Sequence, residues 1–195
     1  MIDIENLTYE ELANALYLKG EKDGYSKVTD KTKWREPVIA EKLGHIAHKK
    51  ISAGAGTLEY GSDAKDENNG IYAEYKSKSI EDDDLKNLFE RVYTKSGRTY
   101  VPLKVSGVYN GAYTKEAIDK YADIDHYFGV FYKELCVLVI KVNTDYVIEN
   151  LRIGLSKMKP GKTKNLNTVT VNLGDTHLYN ISYRNETWWS ENKWQ

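Results

Sequence analysis

The chain has little cysteine, proline or phenylalanine, and no long apolar run. Its single cysteine, Cys136, excludes an intramolecular disulfide framework and fits a reducing compartment. That residue lies inside the apolar run Leu135–Ile140, where a small buried hydrophobe is a commoner role than a reactive thiol. No stretch approaches the roughly 18 apolar residues of a membrane-crossing helix. The opening MIDIENLTYEEL carries acids where a secretory leader carries Lys or Arg. The expectation is a cytoplasmic protein without a membrane segment. An excess of one charge is also missing: 28 basic against 29 acidic residues leave a net charge of −1. The molecule as a whole is therefore not a basic polyanion binder, although an acidic site and a basic groove in one chain would sum to the same value. There is no phosphate-binding P-loop and no dinucleotide fingerprint. His45 and His48 lack the third ligand that a zinc site needs, and His126 and His177 read as satisfied structural histidines.

What is present suits one globular unit. A length of 195 residues fills one core, and an apolar fraction of 41% with 29% charged residues is ordinary for a folded domain spanning residues 1–195. The 16 tyrosines against 3 prolines suit a mixed α/β protein with long strands. Residues 7–19 carry a helical stripe behind a Thr8/Glu11 capping box, with Gly20 expected to end it. A second helix is expected from about Glu36 to Lys50, with Pro37 in its first turn. Leu58–Asp63 and Ile71–Ser77 read as a hairpin joined through the turn KDENNG. Residues 81–95 and 113–122 show helical patterns. His126–Tyr132, Leu135–Val142 and Thr168–Leu173 read as strands, with Leu178–Tyr183 a further candidate. Tyr146–Leu151 fits a helix or a strand. This order of elements predicts one α/β domain with a central mixed sheet flanked by helices.

The chemistry concentrates in the hairpin. Glu74 and Lys76 are two apart on a strand and share one face, and Asp63 stands near the end of the preceding strand, with ten residues between it and Glu74. Two facing carboxylates repel unless a cation lies between them. Mg2+ is typically held by one or two carboxylates together with water and phosphate. Such an ion polarises a phosphate and acidifies a water, while Lys76 would orient that water or balance developing charge. Taken alone, a Glu-x-Lys pair is most often a surface charge pair. Here it lies in a strand, an Asp stands across a turn, and a helix bearing Glu41 comes just before.

The pattern Asp63…Glu74-x-Lys76, preceded by the helix REPVIAEKLGHIAHKK, resembles the PD-(D/E)XK nucleases, in particular the type II restriction endonucleases. The resemblance covers about residues 34–80 by motif and extends more loosely to the strands at 126–142. Ser62 stands where the motif's proline is often found. The resemblance implies a restriction-endonuclease-like fold and Mg2+-dependent hydrolysis of double-stranded DNA at a specific sequence. It also implies 5′-phosphate products and a homodimer matched to a palindrome. Asp63, Glu74 and Glu41 (with Glu36 as the alternative helix acid) would hold the metal, and Lys76 would position the nucleophile. For the DNA, Lys157, Lys159, Lys162 and Lys164 would meet phosphates, with Asn165 and Asn167 near base edges. Lys49 and Lys50 would touch the backbone, and Arg91, Lys95, Arg98 and Lys104 form a second basic stretch. Other readings are a repair or junction-cleaving nuclease of the same fold, a non-catalytic DNA-binding domain, and, more weakly, a glycoside hydrolase using paired carboxylates. Trp188, Trp189 and Trp194 suit burial or a dimer patch better than base stacking.

Overall fold

The first two helices begin and end for local reasons. Thr8 and Glu11 form the expected capping box, the Glu11 amide donating to Thr8 Oγ1 (3.1 Å) and the Thr8 amide to Glu11 Oε2 (2.9 Å). Helix α1 (Tyr9–Lys22) passes through Gly20. Helix α2 (Lys31–Leu43) starts earlier than its sequence pattern suggests and holds Pro37 in its interior. It also stops earlier. Gly44 adopts φ +68°, and the His45 amide donates to the Ala40 carbonyl (2.9 Å) while the Gly44 amide donates to Glu41 (3.2 Å). This is a Schellman end, and it converts the expected last turn into the short strand β1 (Ile46–Ala47).

The computed structural model describes residues 6–22, 31–47, 62–82, 84, 92–94, 97–99, 103–109, 112, 114–158 and 167–192. Among them the remaining elements are β2 (Ala64–Lys65), β3 (Tyr72–Ile80), β4 (Val92–Thr94), β5 (Gly97–Thr99), β6 (Lys104–Tyr109), α3 (Lys115–Asp119), β7 (Ile124–Tyr132), β8 (Leu135–Val142), α4 (Thr144–Ser156), β9 (Asn167–Asn172), β10 (Tyr179–Arg184) and α5 (Glu186–Glu191). A six-stranded sheet runs in the order β1-β2-β3-β7-β8-β10. It is mixed: β3 and β7 are parallel, with Glu74 beside His126, and every other pairing is antiparallel. The fold is thus α/β with a central mixed sheet flanked by helices, as the order of elements predicts. Two further pairs stand apart from it, β4 with β5 and β6 with β9.

Each face of the sheet has its own core. On one, Val38, Ile39 and Ala40 of α2 pack on Ala73, Tyr75, Tyr127 and Phe131. On the other, Phe128, Ile140 and Val142 meet Val105 and Tyr109 of β6, Val169 and Val171 of β9, Ile118 of α3 and Leu151 of α4. Alternation along β3 therefore sends Tyr75 to the α2 side and Glu74 and Lys76 to the β6 side. Gly70 (φ +74°) closes the turn before β3, its amide donating to the Asp66 carbonyl at 2.8 Å.

One expectation changes, one segment gains an assignment and one open alternative is resolved. Residues 92–94, expected as the end of a helix, pair as a strand with 97–99. The segment 104–109, of which only Lys104 is read, as the end of a basic stretch, is strand β6. Tyr146–Leu151 belongs to helix α4, which Asn143 caps by accepting from the Asp145 amide. The strand expected at Leu58–Asp63 lies outside the described residues up to Gly61. Among the described residues no helix is long and apolar enough to cross a membrane.

Candidate active site

Two strands and one bend assemble the site. The β2–β3 register pairs Ala64 with Ala73, so Asp63 is the bend residue just before that pair and Glu74 the residue just after it. The Asp63 amide donates to the Ala73 carbonyl (2.9 Å), and Asp63 Oδ2 accepts from the Tyr75 amide (2.8 Å). The carboxylate thus stands in for a backbone acceptor at the frayed end of β2, which fixes it against β3. Glu74 is 7% exposed and Asp63 9%. Lys76 Nζ donates to Glu74 Oε1.

The electrostatics follow from this crowding. Burial pushes the Glu74 carboxyl up to about 7, Lys76 pulls it down, and the charges of Asp63 and then Glu36 push it up again. One ammonium faces more than one carboxylate, so negative charge is in excess. The helix acid that acts on Glu74 is therefore Glu36. Glu41, the acid expected from the sequence, is exposed to solvent five residues further along α2. The donor set is hard oxygen, with no thiolate, which suits Mg2+ rather than a softer ion. Among the described residues no group of three or more His, Cys, Asp or Glu is gathered as a metal-holding cluster. A Mg2+ ion that keeps waters and phosphate oxygens needs only the pair.

Aromatic groups wall this site. Lys76 Nζ lies over the Tyr109 ring, 4.8 Å from its centroid. His126 Nε2 lies 3.0 Å from the Tyr121 carbonyl, which can only accept, so Nε2 carries the proton. Burial, with a smaller push from Lys76, drives His126 down to about 4, so the ring is neutral. Its Nδ1 must then accept from the Tyr109 hydroxyl, at 3.1 Å. Burial, chiefly, also pushes the Tyr109 phenol well up, and the Glu74 charge adds to it, so the hydroxyl keeps its proton.

The expected DNA contacts fare unevenly. Asn167 is 3% exposed, and its Nδ2 donates to the carbonyls of Leu151 (2.8 Å) and Ala112 (3.3 Å). It clasps β9 to α4 inside the molecule and is not placed to meet a base. Lys157 is exposed at the end of α4, and Lys104 is exposed on β6. Lys49, Lys50, Lys159, Lys162, Lys164 and Asn165 lie outside the described residues, as do Arg91 and Lys95. The site residues missed in the sequence are Gly107, Tyr109 and Tyr121. The alternation of Val105, Gly107 and Tyr109 in KVSGVY was the available signal for β6. No protein-family model matches the chain, and no curated protein matches it.

Proposed function

We propose that the protein is a Mg2+-dependent nuclease of the PD-(D/E)XK kind, a type II restriction endonuclease that hydrolyses double-stranded DNA at a specific sequence as a homodimer. The observation that carries this reading is the excess of buried carboxylate over ammonium at Asp63, Glu74 and Lys76. A buried pair of acids of this kind is costly without a cation and useful with one. Asp63 and Glu74 would hold the ion. Bound there, Mg2+ supplies Lewis-acid polarisation of the scissile phosphate and a more acidic water.

The chain's own residues do the rest. Asp63, anchored by the Tyr75 amide, keeps one carboxylate from swinging away. Lys76, held beside Glu74, would present its ammonium to the incoming water and to the developing negative charge on phosphate. Asp63 and Glu74 are buried, which strengthens each of these interactions.

The test is cleavage of a supercoiled plasmid with Mg2+ and with chelator. Wild-type protein is expected to cut only with Mg2+. Asp63→Asn and Lys76→Ala are each expected to lose about 100-fold or more in rate. Discrete fragments with 5′-phosphate ends support restriction, and structure-selective nicking points to a repair or junction role. DNA binding without cleavage removes the enzyme reading.

A further inference from the structure

We infer that strand β6 is the seat of Lys76, with Gly107 and Tyr109 acting as positioning residues that hold its ammonium at Glu74. The site's strand β3 belongs to the large sheet, whereas β6 belongs to the separate β6–β9 pair, so nothing in the motif itself links the two. Two contacts make the link. A Cβ on Gly107 would lie 2.3 Å from Lys76 Cγ, 2.7 Å from its Cβ and 2.9 Å from its Cδ. The lysine stem therefore passes through space that only the missing side chain of Gly107 leaves open. Beyond it, the Tyr109 ring faces Nζ at 4.8 Å.

That ring is itself held. Its hydroxyl donates to His126 Nδ1, and His126 Nε2 donates to the Tyr121 carbonyl. The Tyr121 ring packs edge-on against Tyr109, with centroids 5.2 Å apart. In the β6–β9 register Tyr109 lies opposite Asn167, whose amide ties that end of the pair to α4. The fit there is close as well, because a Cβ on Gly154 would meet Asn167 Oδ1 at 2.1 Å. The chain of contacts runs from α4 through Asn167 and Tyr109 to the lysine.

A lysine stem is flexible, and an ammonium held by one hydrogen bond can point in many directions. Filling the seat displaces the lysine stem, and with it the ammonium. A misplacement of about 1 Å lowers a rate by as much as about 100-fold. The effect on cleavage rests on the nuclease reading, whereas the seat itself does not. The experiment separates the two by reading lysine position and rate in the same full-length variants.

The Lys76 ε-methylene protons, assigned by their loss in Lys76→Arg, are recorded by proton–carbon NMR of lysine-labelled protein. Lying over the Tyr109 ring, they are expected upfield of the other lysines. Gly107→Ala and Tyr109→Leu should abolish that shift, and Tyr109→Phe, which keeps the ring, should recover it. In Gly107→Ala the three nearest clashing atoms belong to Lys76, but its Cβ at 2.7 Å is fixed by β3. Folding of this variant is therefore checked by its dispersed NMR spectrum, and Tyr109→Leu, which removes bulk, serves as the second disruptive variant. In plasmid cleavage, both disruptive variants should lose about 10- to 100-fold in kcat with KM within twofold, and Tyr109→Phe should restore most of the loss. An unshifted Lys76 in wild type, or a shift that survives both disruptive variants, overturns the seat. Unchanged kcat in variants whose lysine has moved overturns the positioning role. A wild type that cuts no DNA but shows the expected shifts removes the nuclease reading and leaves the seat standing.

Discussion

Two buried ionic groups lie against strand β3, one near each end, and they are built on opposite plans. Near its end, Arg35 of α2 meets Glu134 as a fork: Nε donates to Oε2 (2.9 Å) and Nη2 to Oε1 (2.7 Å), with Nη2 also reaching Ser79 Oγ (2.7 Å). One cation meets one anion, both are buried, and the guanidinium also lies over the Phe131 ring. Near its start, Glu74 and Lys76 share a single contact while Asp63 and Glu36 press further negative charge on the same place. The balanced group does a structural task. It pins α2 to the β7–β8 turn, where Lys133 (φ +47°) and Glu134 (φ +66°) both adopt the left-handed backbone that this two-residue turn demands. The unbalanced group leaves a charge that, on the proposed reading, a bound cation would meet. Buried ion pairs thus differ less in their distances than in whether their charges close.

The largest expected effect breaks the balanced group. Arg35→Ala leaves Glu134 buried without its cation and should lower stability by about 3–5 kcal/mol in urea unfolding. The double change Arg35→Met with Glu134→Leu should recover much of that loss, and failure to do so would show that the charges contribute more than their removal penalty.

A somewhat smaller effect separates the unbalanced group by pH. Glu74 binds its proton more tightly in the folded chain than in the unfolded one, so its contribution favours folding in full below about pH 4.5 and is lost as pH rises through about 7. Glu74→Gln removes this titration. The difference in stability between variant and wild type should move in the variant's favour by up to about 3 kcal/mol across that window. A pH-independent difference would mean that Glu74 is not held in the neutral form.

The smallest effect comes from a pair that is neither buried nor crowded. Arg152 Nη2 meets Asp119 Oδ1 at 2.8 Å, but both side chains are about half exposed. Arg152→Ala should change stability by less than about 0.5 kcal/mol, and salt should erase even that. A larger loss would place this contact with the structural pairs.

The parts legible in the sequence were those fixed by local rules. The capping box, the Asp66–Gly70 turn and the strands at 124–132 and 135–142 all follow from neighbouring residues and hydrophobic alternation. So does the shared face of Glu74 and Lys76, and the turn between the strands was enough to bring Asp63 toward them. What was not legible depended on long-range packing. Gly44 ends α2 through its Schellman contacts, and which helix acid lies near Glu74 depends on how α2 packs on the sheet, where Glu36 rather than Glu41 acts on it. Asn167 looked like a groove residue because its neighbours are basic and polar, yet a buried amide that satisfies two backbone carbonyls is worth more inside. Gly107 and Tyr109 sit on a strand remote from the motif, and no spacing rule links them to Lys76.

The central claim is that the charge left open at Asp63 and Glu74 is closed by a divalent cation. Calorimetric titration of Mg2+ into the full chain at pH 8 tests it most directly. One ion per chain is predicted, with at least about tenfold weaker binding in Asp63→Asn and no weakening in Lys76→Ala, which removes a competing cation. No binding in wild type, or undiminished binding in Asp63→Asn, would contradict it.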